Sequence, residues 1–204
     1  MSLITDEIKN HLSKDAQLKT LIDTIPTPRF MMSRAILSHS LIESITYQQL
    51  SIKAAAVIFD RLLSKFENRQ IDLAKLARMR TTTLRGVGLS FQKADYVRNI
   101  ANFFLAKENQ VVDWHSLPED ELIKRLTVIK GVGVWTVQMI MISPMAKLDV
   151  FPHQDLGIQQ GMINLYGIKK SGKELITKMN KLSEPWKPYR TVACLYLWRW
   201  KDGK

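Results

Sequence analysis

The chain carries one cysteine in 204 residues. Cys194 can close no internal disulfide, and a four-cysteine zinc or iron–sulfur site is excluded. It falls in the apolar run from Val192 to Trp198, where a thiol reads as a small buried hydrophobe and not as a nucleophile. Histidine is scarce too. His11, His39, His115 and His153 show no ligand spacing, so no metal cluster is expected. Strand-like alternation is almost missing. The longest uncharged stretch, Gly131 to Ala146, is broken by Gln138, Ser143 and Pro144. It falls short of the roughly 20 apolar residues that a membrane helix needs. No Ser- or Gly-rich linker and no low-complexity tract interrupts the chain. Its first residues are amphipathic and carry acids, unlike a secretory signal. These absences predict a soluble intracellular protein with no membrane partner, cytoplasmic in a bacterium or nuclear in a eukaryote.

Negative charge is also short. Lys and Arg number 30 against 19 Asp and Glu, a net charge of +11. Such an excess favours a polyanionic partner. An apolar content of 46% supports an ordinary buried core in one or two compact units.

What is present is helical periodicity punctuated by Pro and Gly. Helices are expected at 6–22, 30–45 and 48–66, the last with Leu50, Ala54, Val57, Ile58, Leu62 and Leu63 on one face. Asp72 caps a short helix through Met79, and Thr81 begins another. Further helices are expected at 93–105, at 121–129 after the start signal Ser116 to Glu119, and at 134–142. The last three are expected at 155–166 ended by Gly167, at 171–182 and at 189–200. The reading is an all-α fold in two helical lobes with a cleft between them.

The segment Lys130-Gly131-Val132-Gly133-Val134-Trp135-Thr136 joins two of these helices. Two glycines one residue apart permit a tight reversal. The first amides of the following helix then point outward together at the positive end of its dipole, a nest suited to a phosphate oxygen. Lys130 adds a charge. A plain helical corner is the other reading. It is the one favoured for the similar triplet Gly86-Val87-Gly88.

Leu126 to Thr136 resembles the helix–hairpin–helix of the DNA glycosylase superfamily. Leu148 to Asp155 resembles the loop and aspartate that follow it there. The alkylation-repair branch, the 3-methyladenine glycosylases, is the nearer match. Arg34 to Ala55, with Gln48-Gln49-Leu50, is similar to that branch's DNA-probing helix pair. Leu84 to Tyr96 is similar to the segment before its hairpin, and Trp186 to Trp198 to its last helix. The resemblance runs from about residue 30 to the end, with the helix–hairpin–helix at about 121–142.

It implies a single all-α glycosylase unit over residues 1–204 that binds double-stranded DNA containing alkylated bases, as a monomer and without a cofactor. Lyase-type members carry Lys where this chain has Trp135, so a monofunctional enzyme is implied, with water as the final nucleophile. Asp155 takes the catalytic position. A carboxylate there would stabilise the positive charge on the sugar as the base departs. Read alone, Asp155 is also a plausible helix cap. Asp149 aligns with a family acid that braces the loop.

By register, Lys130, Gly131, Val132, Gly133 and Thr136 contact DNA, and Gln49 is the wedge that fills the gap left by an extruded base. Leu50 is expected in the core. Trp135 and Trp198 are candidates for the floor beneath a cationic purine, with Met139 one turn beyond Trp135. Trp198 reads equally as a core aromatic. In some relatives hairpin carbonyls hold a monovalent cation; here these are Thr127, Ile129 and Val132. A non-enzymatic DNA-binding module built on the same hairpin is the alternative.

Overall fold

The computed structural model describes residues 3–30 and 36–203. The expected helix start at 30–35 and the match at Arg34 lie largely outside the described residues. Among the described residues there are thirteen α-helices, two short 3-10 turns and no strand. The helices are α1 (Asp6–Leu12), α2 (Ala16–Thr24), α3 (Leu37–Tyr47), α4 (Ile52–Leu63), α5 (Leu73–Arg78), α6 (Thr81–Gly86) and α7 (Phe91–Leu105). They continue with α8 (Lys107–Gln110), α9 (Glu119–Leu126), α10 (Val134–Ile142), α11 (Leu156–Tyr166), α12 (Gly172–Ser183) and α13 (Arg190–Lys201). None is long and apolar enough to cross a membrane. The all-α expectation holds, and the chain divides into two compact units. One is formed by residues 1–33 and 141–204, the other by 34–140.

In the unit made from both chain ends, α11 and α13 pack together and α2 lies on α13. Their apolar faces bury Leu18, Leu21, Ile158, Met162, Val192, Tyr196 and Leu197, with Trp186 beside them. Each such side chain stabilises the fold by about 1.5–3 kcal/mol. Cys194 is fully buried in this core, and burial pushes its thiol far above the usual cysteine range, as expected of a packing residue.

The expected helix over 6–22 is in fact two. Asp15 breaks it by accepting hydrogen bonds from the amides of Gln17 (2.9 Å) and Leu18 (3.1 Å), which starts α2 afresh. Its second oxygen accepts from Tyr166 Oη (2.8 Å) and Trp186 Nε1 (3.0 Å), tying the break to the core.

In the central unit α7 is the hub. Ala94, Val97, Ile100 and Ala101 are fully buried, and α3, α5 and α6 pack against it. The expected helix over 48–66 is shorter, because Gln48 to Ser51 form a turn and Ser51 caps α4. Only Ala55 and Leu62 of α4 are buried. Leu50 is 42% exposed and Val57 is 50% exposed, so their assignment to the inward face is corrected. A turn that reorients the chain at Gln49 rotates the whole period after it. The 107–110 helix was not foreseen; four residues are too few to show a period.

Candidate active site

The hairpin lies between α9 and α10. Leu122 and Leu126 of α9 and Val137 of α10 are fully buried, which fixes both arms. The turn closes through Val132 N donating to the Ile129 carbonyl (2.9 Å). That carbonyl and those of Thr127 and Val132 therefore belong to one tight reversal. Gly131 has φ +104°, a conformation that suits glycine. A Cβ there would lie 2.2 Å from the Tyr96 ring of α7, so backbone is pressed directly onto an aromatic face. Asn99 Nδ2 donates to the Lys130 carbonyl (3.3 Å) and adds a second tie to α7.

Gly133 stands just before α10, where a Cβ would meet nothing within 4 Å. The backbone at Gly133 is thus open to close approach. Lys130 and Gly133 are exposed. Val132 (5% exposed) and Thr136 (2%) turn their side chains inward. Both residues are buried, unlike the DNA-contacting positions the resemblance gave them, and the Thr136 hydroxyl accepts from Gln48 Nε2 (3.3 Å).

Trp135 is 38% exposed on the first turn of α10. With Ser44, Tyr47, Gln48 and Gln49 it lines a cavity of about 350 Å³, within the usual range for a small-ligand site. Ser44 and Tyr47 were not foreseen. Their three-residue spacing on α3 is the signal that puts them on one face. Met139, half-buried one turn on, does not line this cavity, and neither does Trp198. Gln49 is exposed and has φ +57°, a left-handed conformation in a residue other than glycine.

Asp155 belongs to the other unit. It is the N-cap of α11, so the helix-cap reading holds as a structural fact. Its Oδ1 accepts from the Ile158 amide (2.9 Å) and from Trp198 Nε1 (2.8 Å). Such bonds to a charged acceptor are worth about 1.5–3 kcal/mol each and hold the carboxylate in one rotamer at the positive end of the helix dipole. Trp198 is therefore an orienting partner of Asp155, whatever else its ring contacts. Gly157 makes room for the pair. A Cβ at 157 would lie 3.0 Å from Asp155 Oδ1 and 3.0 Å from Trp198 Nε1.

The loop leading to Asp155 is braced as expected at Asp149. Arg190 grips its carboxylate through Nε (2.7 Å) and Nη2 (3.0 Å), and Nη2 also reaches the Asp149 carbonyl (3.0 Å). The Thr191 hydroxyl donates to the Lys147 carbonyl (2.7 Å), and the Val150 amide donates to it (2.9 Å). Among the described residues no group of three or more His, Cys, Asp or Glu could hold a metal ion.

A glycine hairpin that opens a helix terminus, followed by a loop ending in a capped aspartate, defines a helix–hairpin–helix protein of the DNA-repair type. The chain belongs to the HhH-GPD superfamily of base excision DNA repair proteins, whose family model matches residues 42–188. It is 36% identical over 200 residues to DNA-3-methyladenine glycosylase 1 of Schizosaccharomyces pombe, covering 93% of this chain and 84% of that one. Among solved structures, the 3-methyladenine DNA glycosylase of the same yeast in complex with abasic DNA has a TM-score of 0.80 at 33% identity, with 95% of each chain covered. A DNA-3-methyladenine glycosidase from Bacillus halodurans has a TM-score of 0.83 at 31% identity, covering 98% of this chain and 91% of that one.

Proposed function

We propose that the protein is a monofunctional DNA glycosylase that removes alkylated purines, chiefly 3-methyladenine, in base excision repair. The observation that carries this reading is the Asp155 carboxylate, held by Ile158 N and Trp198 Nε1 at a helix start in a chain of the HhH-GPD superfamily. An alkyl group on N3 or N7 makes the purine cationic and a good leaving group, so the base needs no proton from the protein. The bond from N9 to the anomeric carbon breaks, and its electron pair leaves with the base, which becomes neutral. Positive charge develops on the sugar, and the fixed anion of Asp155 stabilises it. Water adds to the anomeric carbon and loses a proton.

Around this step, Lys130 and the backbone at Gly133 and Val134, where the helix begins, bind phosphates without reading sequence. Gln49 fills the gap in the stack. The extruded cationic base rests against the Trp135 indole, an attraction worth about 0.5–2 kcal/mol. Trp135 also occupies the position that would carry the amine of a lyase, so no Schiff base forms there. The enzyme acts as a monomer on duplex DNA.

The test is chromatography of bases released from randomly methylated duplex DNA by excess protein in a single turnover. Free 3-methyladenine is expected, with no covalent adduct after borohydride treatment. DNA bound but left intact would overturn the reading in favour of a non-enzymatic binding module.

A further inference from the structure

Lys93 sits in the first turn of α7, where the helix dipole disfavours a cation. It is partly buried, and loss of solvent pushes its ammonium below the usual lysine range. Neither its own helix nor its solvation explains a positive charge there. Its contacts do. Nζ donates to the carbonyls of Thr46 (2.8 Å) and Gln48 (2.6 Å), the last acceptors at the C-terminal end of α3. At that end the dipole favours a cation.

Those two carbonyls flank Tyr47, and the second immediately precedes Gln49. Gln48 is fixed at two further points, its amide donating to the Ser44 carbonyl (3.2 Å) and its side chain to Thr136 Oγ1 (3.3 Å). The next residue, Gln49, takes φ +57° and is exposed. A residue other than glycine held there costs about 1–3 kcal/mol and persists only where its surroundings over-determine it. Lys93 supplies two charge-assisted bonds to that surround, on the scale needed to offset the strain.

We infer that Lys93 is a positioning residue for strand opening: it clamps the end of α3 so that Gln49 is presented in its left-handed conformation, ready to enter the duplex as a base leaves. This rests on the glycosylase reading, which gives Gln49 its role as plug. A plain helix-end contact would stabilise the fold without regard to what Gln49 carries.

The experiment compares wild type, Lys93→Met, Lys93→Arg, Gln49→Ala and the Lys93→Met/Gln49→Ala double variant. The substrate is a duplex with one 7-methylguanine beside 2-aminopurine. Fluorescence reads unstacking and single-turnover excision reads chemistry, with thermal denaturation alongside. Lys93→Met slows unstacking and excision about tenfold, the scale of one bond to a charged group. Lys93→Arg restores both to within about threefold, since a guanidinium can reach two carbonyls. The double variant unstacks no more slowly than Gln49→Ala, although Lys93→Met lowers the melting temperature equally in both backgrounds.

A folded Lys93→Met protein within about twofold of wild type overturns the inference. So does a tenfold loss that persists in the Gln49→Ala background. If Lys93→Met does not fold, Lys93→Gln, which keeps a shorter neutral donor, replaces it in the same comparison. Wild type that unstacks DNA but releases no base sinks the glycosylase reading alone, because the fluorescence comparison still decides Lys93.

Discussion

The triplets Gly86-Val87-Gly88 and Gly131-Val132-Gly133 share their letters and their unit, and each leads towards a helix. In both, the central valine is buried as an anchor. They differ in which glycine is required and in what closes the helix that follows. In the first, Gly86 ends α6 and Gly88 takes φ +111°, with Ile58 Cγ1 2.9 Å from where its Cβ would be. The next helix, α7, is then closed by Ser90, whose hydroxyl accepts from the Lys93 amide (3.1 Å). In the second, the tight position comes first, at Gly131 on Tyr96, and the open glycine stands directly before α10. A serine ahead of a helix occupies its amides. A glycine there has no side chain with which to cap them. The same motif thus leads into a serine-capped helix in one place and into a helix that starts directly after a glycine in the other.

That contrast can be broken at each glycine. The largest loss is expected for Gly131→Ala, where strain at positive φ adds to collision with a packed ring. The hairpin is destabilised by about 3 kcal/mol, and melting by circular dichroism should show it. Gly88→Ala costs less, about 1–2 kcal/mol, because the end of the Ile58 side chain can shift. Filter binding should find its DNA affinity unchanged. Gly133→Ala reverses the pattern. Melting moves by only a few tenths of a kcal/mol, while duplex affinity falls by about 1 kcal/mol, roughly fivefold, because a methyl group blocks close approach to the backbone. If Gly88→Ala weakened DNA binding as much as Gly133→Ala, the distinction between the two triplets would fail.

Much of the site was legible because it is local. The hairpin, the bounds of α10 and the ending of α11 at Gly167 follow from residues close in sequence, whereas the Asp149 brace, whose partner Arg190 lies 41 residues on, was legible only through the family resemblance. What was missed is what distant residues decide. Asp15 breaks an otherwise continuous helical period because Tyr166 and Trp186 give its carboxylate partners far along the chain. The α4 face was rotated because the left-handed turn at Gln49 leaves no trace in an apolar pattern. Tyr96 beneath Gly131, Lys93 on the end of α3 and Trp198 on Asp155 each join segments 35 or more residues apart, where periodicity carries no information. Asp155, like the glycine hairpin and Trp198, was ambiguous in kind. Cap and reacting carboxylate look like alternatives in sequence, yet the oxygen that caps α11 also accepts from Trp198 Nε1, which holds the carboxylate in the one position the proposed chemistry needs.

The most direct measurement is single-turnover base release from methylated DNA by Asp155→Asn, with DNA affinity and melting measured on the same protein. Asparagine keeps an oxygen that can accept from Ile158 N and Trp198 Nε1 and caps a helix as well as aspartate does, so the fold should be retained. What is lost is the negative charge. The account predicts that base release falls by about a hundredfold or more while DNA affinity stays within about twofold of wild type. Release at the wild-type rate would contradict it.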